Sequence, residues 1–155
     1  MRNGTRLGID VGTVRIGVSR SDPQGMLALP IETVRRADDD SDVTRILALV
    51  EEYEAAEIVV GHPLALSGRS TASTADAVAF AHRLAAASAV PVRLVDERLS
   101  TVSASTALYA GGKRAKAQRQ VVDQAAATVI LQHALDSERS SGNPPGTPVT
   151  PNIGL

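Results

Sequence analysis

Three acidic residues far apart in the chain stand where a folded domain could bring them together. Asp10 follows the short apolar stretch Leu7-Gly8-Ile9, with Gly12 two residues on. A strand end is a rigid mount for a charged group, and the glycine allows a bulky anion to approach the backbone. Glu97 sits just past a second apolar stretch, Pro91 to Val95. Asp123 lies in Val121-Val122-Asp123-Gln124-Ala125-Ala126-Ala127-Thr128-Val129-Ile130, at the margin of a helical stripe carried by Val122, Ala125, Ala126, Val129 and Ile130. An unpaired carboxylate there is costly, so Asp123 needs a cation or hydrogen bonds. Together the three make an all-oxygen site. Without Cys or a paired His motif, Mg²⁺ or Mn²⁺ is the natural occupant. Two such ions about 3.5–4 Å apart serve phosphodiester hydrolysis by activating water and stabilising the leaving oxygen. Each acid also has a plainer reading: Asp10 as a turn residue, Glu97 paired with Arg98, Asp123 paired with Arg119 one turn earlier.

Cations for a polyanionic substrate are local rather than global. Lys113, Arg114, Lys116 and Arg119 cluster beside Gly111-Gly112, and Gly68-Arg69 could offer backbone N–H groups and one guanidinium. Both stretches also read as a solvated helix start and a connector. His62 is a candidate general acid or base, or an ordinary loop histidine. Asp38-Asp39-Asp40-Ser41-Asp42 could hold a metal, or simply begin a helix whose dipole favours acids.

The elements that must position these groups follow from the hydrophobic pattern. Arg6 to Asp10, Arg15 to Arg20 and Leu27 to Val34 read as three strands in an antiparallel meander, and Pro30 places the third at a sheet edge. Ile46, Leu47, Leu49, Val50 and Tyr53 have helical spacing after a cap at Ser41 or a neighbouring Asp. Glu57 to Gly61 is a buried central strand. A helix opens at Ser70 or Thr71 and reaches about Ser88, and Pro91 to Val95 is the last strand. Ser100 caps a helix to about Tyr109, and a final helix runs to about Glu138. The pattern predicts an α/β fold with a five-stranded mixed sheet, three antiparallel strands then parallel ones, and helices on both faces. In such sheets, sites lie beyond the carboxyl ends of strands. One domain is expected over 1–138. The segment 139–155, with four of the eight prolines, is expected to be a disordered tail.

Composition narrows the function. The chain of 155 residues is 43% apolar and has a formal net charge of −1, which excludes broad electrostatic binding of nucleic acid. One Phe and two Tyr are too few for a base-stacking surface. There is no Cys, consistent with a reducing compartment, and no apolar run long enough for a signal peptide or membrane span. The expected location is the cytoplasm.

Gly8-Ile9-Asp10-Val11-Gly12, Arg15-Ile16-Gly17-Val18, Val59-Val60-Gly61-His62-Pro63, Asp96-Glu97-Arg98-Leu99-Ser100-Thr101 and Val122-Asp123-Gln124-Ala125-Ala126 occur in this order. Over roughly Arg6 to Asp136 the chain thereby resembles the YqgF family, the pre-16S rRNA nucleases or Holliday-junction-resolvase-like proteins. The resemblance implies an RNase H-like fold, divalent-metal phosphodiester hydrolysis, and Asp10, Glu97 and Asp123 as the catalytic, metal-binding set. It implies a nucleic-acid partner, either precursor rRNA trimmed at its 5′ end or branched DNA; Gly12, Arg15, Arg69, Arg98, Lys113, Arg114, Lys116 and Arg119 are the expected substrate contacts. A monomer suits the first substrate and a symmetric homodimer the second. Val14 stands where the family often has lysine, His62 where it usually has an apolar residue, and Ala126 where junction resolvases carry a fourth acid. Two other readings compete. Asp10-Val11-Gly12-Thr13 also resembles the phosphate loop of the actin and sugar-kinase superfamily, which needs two such domains, and the sparse rings leave room for a non-catalytic ribosome-associated module.

Overall fold

A computed structural model describes residues 2–63, 71–96 and 115–150, with the backbone alone for 115–121. Three strands open the chain: β1 (Thr5–Val11), β2 (Arg15–Ser21) and β3 (Ala28–Arg35). They are followed by α1 (Ser41–Glu52), β4 (Ala55–His62), α2 (Ala72–Ala87), β5 (Val92–Asp96), α3 (Ala115–Ser141) and β6 (Thr147–Pro148). The sheet order is β3-β2-β1-β4-β5-β6. β1 pairs antiparallel with β2 and parallel with β4, and β4 pairs parallel with β5. This bears out the expected meander followed by parallel strands, with Pro30 on the edge strand β3.

Alternation along the strands divides the sheet into two faces. Leu7, Ile9, Ile16, Val18, Val34, Ile58 and Val60 pack with Val43, Ile46 and Leu49 of α1 and with Phe80 and Leu84 of α2. Val59 and Val95 face the other way, onto Ile130, Leu131, Ala134 and Leu135 of α3. Thr71 caps α2 in a reciprocal capping box with Thr74, as its position predicts.

The aspartate-rich start of α1 is built differently from expectation. Asp40 is the N-cap but its side chain makes no capping bond. Asp42 is only 1% exposed. It accepts the Ala37 and Val43 N–H groups and is flanked by Arg36 and Arg83. Both guanidiniums lie 5.3 Å from the centre of the Phe80 ring. Asp38, Asp39, Asp40 and Ser41 are exposed, as a solvated helix start requires, whereas Asp42 makes a buried ionic joint between α1, α2 and the end of β3.

Among the described residues the sheet has six strands rather than five, because the segment after α3 returns to it. α3 continues to Ser141, where Gly142, at φ 78°, donates its N–H to the Glu138 carbonyl. Thr147 then pairs with Leu94 and Pro148 with Arg93, Val149 N–H donates to the Val92 carbonyl, and the Val149 side chain is buried. The expected tail from 139 is thus part of the fold through Thr150. Its composition is poor in apolar groups, but the open edge of β5 offers main-chain partners that composition does not register. Residues 151–155 lie outside the described residues.

Candidate active site

Asp10 is the penultimate residue of β1 and is half-buried. It pairs with Gly17 of β2. Gly8, two residues earlier on the same face, lies under α3: a Cβ there would be 2.7 Å from Leu131 Cβ and 2.9 Å from the Ala127 carbonyl oxygen. Gly17 lies closer still, since a Cβ on it would fall 1.8 Å from the Asp123 carbonyl oxygen. Between the two, Ser19 Oγ donates to the Ala127 carbonyl at 2.8 Å. Two glycines and a serine thus form a shallow bed in which the backbone of α3 rests. Asp123 lies directly over the strand partner of Asp10, and both carboxylates belong to the α3 face of the sheet.

This moves Asp123 relative to the sequence reading. Among the α3 residues whose side chains are described, Ala126, Ala127, Ile130, Leu131, Ala134, Leu135 and Glu138 are buried. Their line runs back one turn from Ala127 to Asp123, on the axis of the sheet-facing stripe rather than at its margin. The cation that Asp123 requires is Arg15, whose Nε donates to Oδ2 at 3.0 Å. The pair is partly screened, with side-chain exposures of 30% and 20%. Arg119 is in α3 by its backbone, as is Lys116.

Glu97 follows the last residue of β5 and lies outside the described residues, as do Arg69, Arg98, Lys113 and Arg114. What is on view is where β5 delivers the chain. Ile9 is level with Val60 and Val60 with Leu94, so β5 ends at the same edge of the sheet as Asp10. Two strand spacings, about 10 Å, separate their backbones.

Gly12 has a structural duty. Its N–H donates to the Arg15 carbonyl at 2.9 Å, and a Cβ on it would come within 2.5 Å of that oxygen. The β1–β2 turn is also pinned by Arg36, which lies outside the sequence motifs. Arg36 N–H donates to the Val14 carbonyl, and its Nη1 donates to the Gly12 carbonyl and to Asp76, each at 2.8 Å. That guanidinium holds Asp76 below the ordinary carboxylate range. The signal was present as Arg35-Arg36 at the end of a strand, where alternation sends the two side chains to opposite faces.

His62 takes the other face. It follows Ile58 and Val60 in alternation and lines an open groove of about 680 Å³ along α2 with Thr74, Val78 and His82. It therefore does not share the face of Asp10 and Asp123. Ala126, one turn of helix from Asp123, is 2% exposed. Among the described residues no group of three His, Cys, Asp or Glu side chains could hold a metal ion. Asp10 and Asp123 are two hard oxygen donors on one face, and a third would have to come from the segment after β5.

The family model described as RuvX, Holliday junction resolvase, matches residues 4–137. The chain belongs to this family. A relative from Leifsonia xyli, named "Putative pre-16S rRNA nuclease", is 65% identical over 99% of both chains. One from Clavibacter michiganensis with the same name is 60% identical over 98% of this chain and 95% of its own. Among solved structures, Thermus thermophilus RuvC in complex with a Holliday junction substrate covers 94% of this chain and 99% of its own, at 18% identity and a TM-score of 0.49. Membership makes the chain a hydrolytic nuclease. No helix among the described residues is long and apolar enough to cross a membrane.

Proposed function

We propose that this nuclease is a divalent-metal-dependent endonuclease that trims the 5′ end of the small-subunit rRNA precursor in the cytoplasm. Asp10, Glu97 and Asp123 form its acidic set in this reading. The observation that carries it is the seating of Asp123 over Gly17, the strand partner of Asp10, which puts two distant carboxylates on one face. Both are oxygen donors, as Mg²⁺ or Mn²⁺ prefers. Such a cation, when bound, supplies Lewis-acid neutralisation of phosphate charge. The chain's own part is to hold the acids. Arg15 fixes one oxygen of Asp123, Arg36 fixes the turn that follows Asp10, and the glycine bed fixes the height of α3. The relatives' printed names favour precursor rRNA as substrate. The family description favours four-way DNA as the second reading.

The test incubates the protein and its Asp10→Asn, Glu97→Gln and Asp123→Asn variants with Mn²⁺ and labelled precursor RNA, single-stranded RNA or a four-way DNA junction. Cutting of the precursor, lost in all three variants while each remains folded, is expected. Selective paired cutting of the junction would replace the RNA reading, and variants as active as the parent would end the three-acid assignment.

A further inference from the structure

We propose that Arg35, at the end of the edge strand β3, is a substrate-contacting residue that grips a phosphate next to the one held at the Asp10–Asp123 face. The inference rests on the nuclease reading above. Arg15 and Arg35 are direct cross-strand partners in the antiparallel β2–β3 pair. Both belong to the α3 face. Arg15 reaches Asp123, and Thr33, two residues before Arg35, accepts a hydrogen bond from Gln124 of α3. Arg15 is neutralised by Asp123. Arg35 is exposed, and its guanidinium makes no hydrogen bond or ion pair with a described residue.

Its neighbour shows that this is not a general property of the strand end. Arg36 is directed to the other face and is fully used, with the Gly12 carbonyl, Asp76 and Asp42 as partners. Like charges directly opposite in an antiparallel pair are destabilising. The chain nonetheless places a guanidinium without a partner among the described residues opposite Arg15, the residue that holds Asp123, and about 10 Å of backbone from β1. An anion lying along the sheet end would relieve that repulsion. Phosphate, two of whose oxygens can accept the paired N–H groups of a guanidinium, is the anion that a nuclease brings. A cation so placed contacts the substrate without touching the reacting atoms, so it acts on binding rather than on the chemical step.

The experiment compares wild type, Arg35→Gln, Arg35→Lys and, as a control on the opposite face of the same sheet edge, Arg45→Gln, whose guanidinium is paired with Glu32. Each is assayed on a labelled RNA hairpin with a single-stranded 5′ extension and on a four-way DNA junction, across a salt series, with the urea midpoint as a check of folding. On RNA, Arg35→Gln is expected to raise KM about tenfold with kcat within twofold, and to reduce the slope of log binding against log salt by about one. Its urea midpoint is expected not to fall. Arg35→Lys should recover the salt slope and only part of the KM, and Arg45→Gln should match wild type. If wild type cuts RNA and Arg35→Gln is indistinguishable from it, the inference fails while the nuclease reading stands. The inference also fails if Arg45→Gln is equally impaired, because the effect is then one of net charge. If only the junction is cut and Arg35→Gln is impaired there, the RNA reading fails and the Arg35 contact survives. If wild type cuts neither, both are overturned.

Discussion

Substituting Gly17 by alanine tests the feature on which the site depends. A Cβ at this position would stand 1.8 Å from the Asp123 carbonyl oxygen, 2.3 Å from its carbon and 3.1 Å from the Gln124 nitrogen. All three atoms are backbone, so no rotamer change relieves the overlap. To regain van der Waals contact, α3 must retreat from β2 by about 1.5 Å. The retreat pulls on the Ser19–Ala127 hydrogen bond and on the Arg15–Asp123 pair. Overpacking of a close-packed interface costs about 1–3 kcal/mol, and the upper end is expected where backbone meets backbone. Activity should suffer more than stability. A displacement of roughly 1 Å between catalytic groups can cost about 100-fold. Urea unfolding at pH 7 gives the stability change, and single-turnover cleavage in the absence of urea gives the rate of the population that remains folded. The expected result is a loss of about 3 kcal/mol together with a rate reduced about 100-fold. An alanine variant with the parent's urea midpoint and rate would show that α3 does not rest on Gly17, and the convergence of Asp10 and Asp123 would go with it.

Other outcomes follow from the ionic joints and the returning strand. Glu138 is 3% exposed and bonded to Arg2 and Arg6. Burial pushes its carboxyl up, but the bonds from Arg2 and the charge of Arg6 outweigh this and hold it below the ordinary 4.5. A depressed folded value gives stability that is fully present above pH 4.5 and is lost as pH falls through the folded value. Glu138→Gln should therefore cost about 3 kcal/mol at pH 7 and show a flatter acid limb than the parent in urea titrations from pH 7 to pH 3. Asp42→Asn leaves Arg36 and Arg83 without their shared buried anion, and should lower thermal stability by about 2 kcal/mol or more in calorimetry. Truncation after Ser141 removes β6 and uncovers Val92, with an expected loss of about 2 kcal/mol in urea unfolding. An unchanged midpoint would mean that the segment is not docked.

Much of the architecture was legible because the relevant signals are local. The period-2 runs at 5–11 and 15–21, the switch to helical spacing after Ser41, the Thr71 cap and the strand proline at Pro30 each act within a few residues of themselves. The returning strand was not legible. Pro144, Pro145 and Pro148 among polar residues describe a segment without a core of its own, and its order comes from the free edge of β5, many residues earlier. At the start of α1 only Asp42 departs from the solvated helix start, for a similar reason: it looks like an exposed first-turn acid until Arg36 and Arg83 close over it.

The sequence by itself determined the residue types on which a nuclease site could be built: the carboxylates at Asp10, Glu97 and Asp123, the absence of thiols, and the glycines that permit close approach. Tertiary structure alone decided that Asp123 stands over Gly17, that Arg15, from a strand more than one hundred residues earlier, is paired with it, and that Arg36 is consumed by Gly12, Asp42 and Asp76. The physical reason is that pairing is a matter of through-space distance. A glycine in a strand and a carbonyl more than one hundred residues later meet only after sheet register and helix height are both set, and neither quantity is written in the local pattern of either segment.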